Sequence, residues 1–190
     1  MTYQELREKM TLGLDKVRLY EPDYEVISKY AALVETPNWI VDVGTYMGGS
    51  SEVMALSAKP DVKIWTVDCR EMVPKEYQEA NKDRISFNFR DSVSAGIEWT
   101  EPIGFLFIDG DHSKAINDFD AWNKHVILGG YVAFHDFHPA MEWMIRDCIR
   151  VLNNNDYKML HFPDIRSIWD TYTKGEQPTE TVIFQFQKIK

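Results

Sequence analysis

A chain of 190 residues with 44% hydrophobic and 13% aromatic content has the material for one buried core, which argues against a disordered polymer and for a single domain over residues 1–190. Its 30 acids against 21 bases give a formal charge of −9, which disfavours phosphate backbones and anionic membranes and leaves a small molecule as the expected partner, with no nucleic acid and no membrane. The opening "MTYQELREKM" lacks the apolar centre of a secretion signal and no long apolar run occurs, so the cytoplasm is the expected compartment.

In chain order, Thr2 to Leu14 reads as a helix that stops before the turn signal "EPD", and Tyr24 to Glu35 as a second helix. Strands are predicted at Trp39 to Val43, Lys63 to Val67, Ile85 to Phe89, Gly104 to Ile108 and Tyr131 to His135. Helical spacing fills the gaps between them, which is the pattern of βαβ units and a parallel sheet. Ser113 to Ile127 places Ile116, Phe119, Trp122 and Val126 on one stripe, and "LGG" is expected to end that helix with a glycine cap. An amphipathic helix is predicted over Met141 to Leu152, followed by strands at Tyr157 to His161 and Thr181 to Lys188. Residues 162–180 between those strands read either as a further strand with a hairpin or as a long loop. Cys69 and Cys148 have no metal-like spacing and imply no disulfide framework.

The segment most open to chemical reading is "IVDVGTYMGGSS", Ile40 to Ser51. A glycine-rich turn from strand to helix in an α/β sheet faces a ligand at the carboxyl ends of the strands. The dinucleotide fingerprint fails because Tyr46 stands where its second glycine belongs, and the phosphate loop fails because no Lys-Ser or Lys-Thr follows Gly48 or Gly49. What remains is acid-x-Gly-x-x-x-Gly, as Asp42, Gly44 and Gly48. In this the chain resembles the class I S-adenosylmethionine-dependent methyltransferases. The resemblance implies a Rossmann-like doubly wound α/β fold: a mostly parallel seven-stranded sheet, helices on both faces, and an antiparallel C-terminal strand. It divides the chain into an N-terminal helical segment (1–38), a cofactor-binding core (39–136) and a C-terminal helix with strands (137–190).

The resemblance also implies S-adenosylmethionine as cofactor, bound by Asp42, Gly44, Tyr46, Gly48 and Ser50 of the turn and by Asp109 further along the chain. Asp68, closing "KIWTVD", is placed at the ribose hydroxyls, and Asp91 and Ser92 of "FRDS" at the adenine. Beside these stand plainer readings, in which Asp68 is a hydrated strand-end acid and Asp91 or Ser92 a helix cap.

Two later clusters, "IDGDHS" and "FHDF", close neighbouring strands and are expected to converge. Asp109, His135 and Asp136 then offer two carboxylates and an imidazole, a set suited to Mg²⁺, Mn²⁺ or another divalent cation. Here the chain resembles the small metal-dependent O-methyltransferases of the catechol, caffeoyl-coenzyme A and macrolide-sugar type. The resemblance puts the metal ligands at Asp109, His135 and Asp136, with His135 standing where an acid is usual. The other reading is that His135 and Asp136 bond each other and orient substrate with no ion. His112, three residues after Asp109, falls where the relatives have a lysine, which implies a general base; alternatively it is a solvated residue of a turn capped by Asp111 or Ser113. The implied activity is methyl transfer to a hydroxyl of a small molecule such as a sugar, a phenol or a natural product, with Asp109 and His112 at the reaction. Two alternatives stay open: another enzyme on the same cofactor fold, hydroxylase-like, and a non-catalytic S-adenosylmethionine-binding domain. By the same resemblance, the flanks 1–38 and 137–190 build the acceptor pocket and the contacts of a homodimer; Trp169, in irregular sequence near the expected crevice, reads as a stacking wall or, as tryptophans more often are, a core or interface residue.

Overall fold

The computed structural model describes residues 1–13, 19–136, 146, 149–151, 153–176, 178–179 and 181–190. Short apolar runs become the strands β1 (Trp39–Val43), β2 (Ile64–Asp68), β3 (Ile85–Phe89), β4 (Ile103–Ile108) and β5 (Val126–Phe134), joined by β6 (Tyr157–His161) and β7 (Phe184–Lys188). They form one seven-stranded sheet in the order β3-β2-β1-β4-β5-β7-β6. The first five run parallel, and β7 lies antiparallel between β5 and β6. All six residues of β4, "IGFLFI", are buried, because helices cover a parallel sheet on both faces and its central strands lose their polar alternation.

Strand parity sorts the core into two layers. Ile40, Phe105 and Phe107 face the layer of α1 (Tyr3–Lys9), α2 (Glu21–Leu33) and α3 (Gly49–Ser57). Val41, Val43, Leu106 and Ile108 face the layer that holds Phe119 and Trp122 of α6 (Ala115–Trp122). Other helices among the described residues include α4 (Lys75–Asn81), α5 (Ser92–Glu98) and α7 (Ile165–Thr173). No helix among the described residues is long and apolar enough to cross a membrane.

Several expectations about elements need correcting. Helix α1 ends at Lys9, not Leu14, and the backbone N–H groups of Thr11 and Leu12 donate to Glu52 of α3 at 2.7 and 3.1 Å. The "EPD" signal opens α2 and ends nothing: Pro22 sits in the first turn, where its missing N–H costs no bond, and Asp23 accepts from the Tyr20 N–H at 3.0 Å. The helix expected to run to Ile127 stops at Trp122, a 3₁₀ turn follows, and Val126 already belongs to β5. Its glycines are a bulge instead of a cap: Ile103 faces Val126 but Phe105 faces Tyr131, and Gly129 takes up the extra length at φ +82°. Finally, 162–180 is neither hairpin nor plain loop, since Asp164 accepts from the Arg166 and Ser167 N–H groups and starts α7. The C-terminal strand is shorter than expected, beginning at Phe184. The helix predicted over Met141 to Leu152 lies mostly outside the described residues, of which Arg146 and 149–151 are helical; Cys148 lies outside them too.

Candidate functional site

The carboxyl ends of β1 to β5 border a cavity of about 810 Å³. Taken in sheet order, the residues that close the strands are Asp91 after β3, Asp68 at β2, Gly44 after β1, Asp109 after β4 and Asp136 after β5, and all five line it. Gly44 is dictated by its surroundings: at φ +103°, a Cβ there would stand 2.2 Å from the Asp109 carbonyl oxygen. The absent side chain lets the turn lie against the exit of β4. Tyr46, held at φ 44°, donates its N–H to Asp68 Oδ2 at 2.8 Å, and the Arg70 N–H donates to Oδ1 at 2.9 Å. Asp68 is thereby fixed with both oxygens anchored at the cavity wall.

The other turn residues stand behind this front. Asp42 shares the strand face of Ile40, so it points under α3 and away from the cavity, contrary to the expectation that it binds the ligand. Its Oδ2 accepts from the hydroxyls of Ser50 (2.9 Å), Ser51 and Thr66 (3.2 Å), while its Oδ1 has no partner. Burial, only partly offset by the serine hydroxyls, pushes its carboxyl up to about 7. Ser50 borders a small side pocket with Gly44, Tyr46 and Asp109. Gly48 borders neither space: it is the left-handed N-cap of α3, facing Leu12 and Val73.

On the β3 side, Asp91 accepts from the Ser94 N–H at 2.7 Å and so caps α5 while still lining the cavity. The Ser92 hydroxyl donates to Asp118, an acid of α6 that the sequence reading missed. A signal existed: Ala115, Asp118, Phe119 and Trp122 share helical spacing, so Asp118 sits on the apolar stripe and is 3% exposed.

On the β5 side three expected residues come together, but in a different arrangement. His135 is 1% exposed, with Nδ1 3.1 Å from Asp109 Oδ1 and Nε2 3.1 Å from Asp23 Oδ2. Both ring nitrogens already face carboxylates, so His135 stands behind the cavity wall and offers no donor atom to an ion. Burial would lower its pKa, but Asp109 and Asp136 outweigh that and hold it well above the ordinary value. Asp23, unsuspected from sequence, also accepts from the Thr181 hydroxyl at 2.6 Å and the Val182 N–H at 3.1 Å. The third donor in reach is His112. Its Nε2 is 3.1 Å from Asp136 Oδ2, and its buried Nδ1 has no partner. Donor atoms of Asp109, His112 and Asp136 lie within 4.8 Å of one another, a set that fits a divalent cation. The hydrogen bond to Asp136 raises the pKa of His112. Burial would raise Asp136, yet His135 and His112 together hold it well below the usual carboxylate range. Asp136 itself adopts φ 56°, a strained backbone for a residue other than glycine. Trp169, on α7, does not line the cavity.

Residues 41–137 match the family model described as a methyltransferase domain. An uncharacterized protein of Acanthamoeba polyphaga mimivirus is 32% identical over 113 residues, 51% of this chain and 50% of that one, so the chain spans about half the length of this curated relative. Among solved structures, the O-methyltransferase TomG of Streptomyces achromogenes, which is involved in tomaymycin synthesis and was solved with S-adenosylmethionine, superposes with a TM-score of 0.70. It is 13% identical, over 98% of this chain and 87% of that one. A candidate caffeoyl-CoA O-methyltransferase of Staphylococcus aureus gives 0.70 at 12% identity over 100% and 93%. At such identities the likeness speaks for the fold.

Proposed function

The chain belongs to the methyltransferase-domain family, and from that premise we propose that it moves the methyl group of S-adenosylmethionine onto a hydroxyl oxygen of a small molecule, beside a divalent cation held by Asp109, His112 and Asp136. The observation behind this reading is the order of polar strand ends along one cavity, from Asp91 through Asp68 and Gly44 to Asp109 and Asp136. In this reading adenine lies at the β3 end, ribose at β2, the amino-acid part at the glycine turn and the acceptor at the β4–β5 end, as ligands of open α/β sheets lie along the carboxyl ends of the strands. S-adenosylmethionine supplies an electrophilic methyl, and a cation supplies positive charge that lowers the pKa of a hydroxyl bound to it.

The chain's own contributions follow from the geometry. Asp68 keeps lone pairs free for two ribose hydroxyls, because each oxygen has only one backbone donor. Gly44 gives close approach to the backbone beside Asp109. His135, clamped from both sides, fixes the carboxylates of Asp109 and Asp136 in the wall, so the acceptor end is organised before substrate arrives. A second reading has one observation in its favour, the 3.1 Å contact of His112 Nε2 with Asp136: oriented by that acid, the imidazole takes the acceptor proton with no ion present.

Titration calorimetry tests the proposal. S-adenosylhomocysteine is expected to bind, Asp68→Ala to weaken it by roughly 100-fold or more, and NAD not to bind. Binding of NAD alone, or unchanged affinity in Asp68→Ala, would overturn it. Mn²⁺ should bind the wild type and not Asp109→Asn. Turnover that survives a chelator but not His112→Gln would favour the ion-free reading.

A further inference from the structure

Asp118 is an acid whose surroundings give it too few donors. It is 3% exposed, lines the cavity, and accepts one hydrogen bond, at Oδ1, from the Ser92 hydroxyl. Its Oδ2 receives none from the described residues, and points to the glycine step after β4, 3.5 Å from where a Cβ on Gly110 would stand. The nearby cation, Lys114, is paired with Asp111 at 3.1 Å. Burial pushes the Asp118 carboxyl up to about 6, the response of a carboxylate short of partners.

The frame around it is rigid. Ser92 is held by its place at the start of α5, which Asp91 caps, and by the Trp122 indole, which donates to the Ser92 carbonyl at 3.1 Å. Asp118 comes from α6, which packs on α5, so the carboxylate is fixed between the start of α5 and the glycine step after β4, and it is not one of the grouped donors Asp109, His112 and Asp136. Among the described residues only that latter group has the spacing for an ion, so the partner Asp118 lacks is a hydrogen-bond donor.

We propose that Asp118 reads the exocyclic amine of the adenine ring and makes the site selective for a 6-amino purine. The proposal rests on the cofactor reading given above. A 6-amino group is a donor pointing outward from the ring edge, whereas a 6-oxo group is an acceptor that a carboxylate repels. Asp91, whose position in the sequence suggests that role, is exposed and caps α5 through the Ser94 N–H, whereas Asp118, 27 residues further along the chain, is buried in the cavity wall, where a missing donor is costly.

The experiment compares S-adenosylhomocysteine with S-inosylhomocysteine by titration calorimetry on the full chain, wild type, Asp118→Asn and Asp118→Ala. The wild type is expected to prefer the adenosyl compound by roughly 10- to 100-fold, the scale of a hydrogen bond to a charged group. Asp118→Ala should bring the ratio close to one. Asp118→Asn, nearly isosteric, should narrow it by gaining affinity for the inosyl compound, because its amide can donate. Equal wild-type affinity for the two compounds overturns the inference without any variant having to fold. So does a ratio that survives in Asp118→Asn. If the wild type binds neither compound, the cofactor reading itself fails, a different result from binding without discrimination.

Discussion

Gly44 is the position where the smallest change should have the largest effect. A methyl group there meets the Asp109 carbonyl oxygen at 2.2 Å and also requires a backbone conformation at φ +103° that L side chains avoid. Gly44→Ala should cost about 3 kcal/mol in urea denaturation and abolish S-adenosylhomocysteine binding, since relief comes only by separating the turn from β4. Asp42 makes the opposite kind of case, a residue whose cost depends on pH. Its folded pKa of about 7 lies above the value of an unfolded aspartate, so the folded state holds the extra proton in between. Stability is therefore undiminished below about pH 4, falls as pH rises towards 7, and carries the full penalty of roughly 4 kcal/mol above that. Asp42→Asn escapes the penalty, so its melting temperature relative to wild type should improve between pH 5 and pH 8. A gap that does not change with pH would show that the serine hydroxyls compensate the charge.

Among the elements, the joint between α3 and the segment after α1 depends on one side chain. Glu52 is buried and accepts from the Thr11 N–H, the Thr11 hydroxyl and the Leu12 N–H. Glu52→Ala leaves those donors without a partner and should lower stability by about 3 kcal/mol, with limited proteolysis moving to residues 10–13. The five parallel strands are legible in the sequence because short apolar or aromatic runs alternate with helical spacing; burial on both faces makes β4 an unbroken apolar run, while the edge strand β3 alternates as "ISFNF". The end of α6 is not, because Val126 happens to fall at helical spacing from Trp122 while it belongs to a bulged strand. Helix α7 hides for a related reason, since "FPD" reads as a turn whether or not Asp164 goes on to cap a helix. At the site, the strand-end acids can be read because strand ends converge. The roles of His112 and His135 cannot, because only the fold decides that His135 meets an acid from α2 on its far side. Asp23 lies 112 residues from it in the chain, and no local pattern records that distance.

At the scale of the molecule, Asp23 binds three regions that share no sequence neighbourhood: α2 through Tyr20, the end of β5 through His135, and the approach to β7 through Thr181 and Val182. Removing one partner of a buried ion pair costs about 3 to 5 kcal/mol, so Asp23→Ala should fold poorly. Asp23→Asn keeps an acceptor for Thr181 and Val182 and should fold, while its Mn²⁺ affinity drops roughly 10-fold because His135 no longer holds Asp109 from behind. Equal Mn²⁺ affinity in Asp23→Asn and wild type would show that the clamp serves stability alone. The same feature fixes an order in time. The segment that matches the family, 41–137, contains neither Asp23 nor Thr181. During synthesis the sheet from β1 to β5 has left the ribosome well before Thr181 and Val182 follow. A stalled nascent chain ending short of Thr181 should therefore present the glycine turn and Asp68 with the β5 side still slack. Competence at that side then arrives only after β1 to β5 have been made, when the acid waiting in α2 meets Thr181 and Val182.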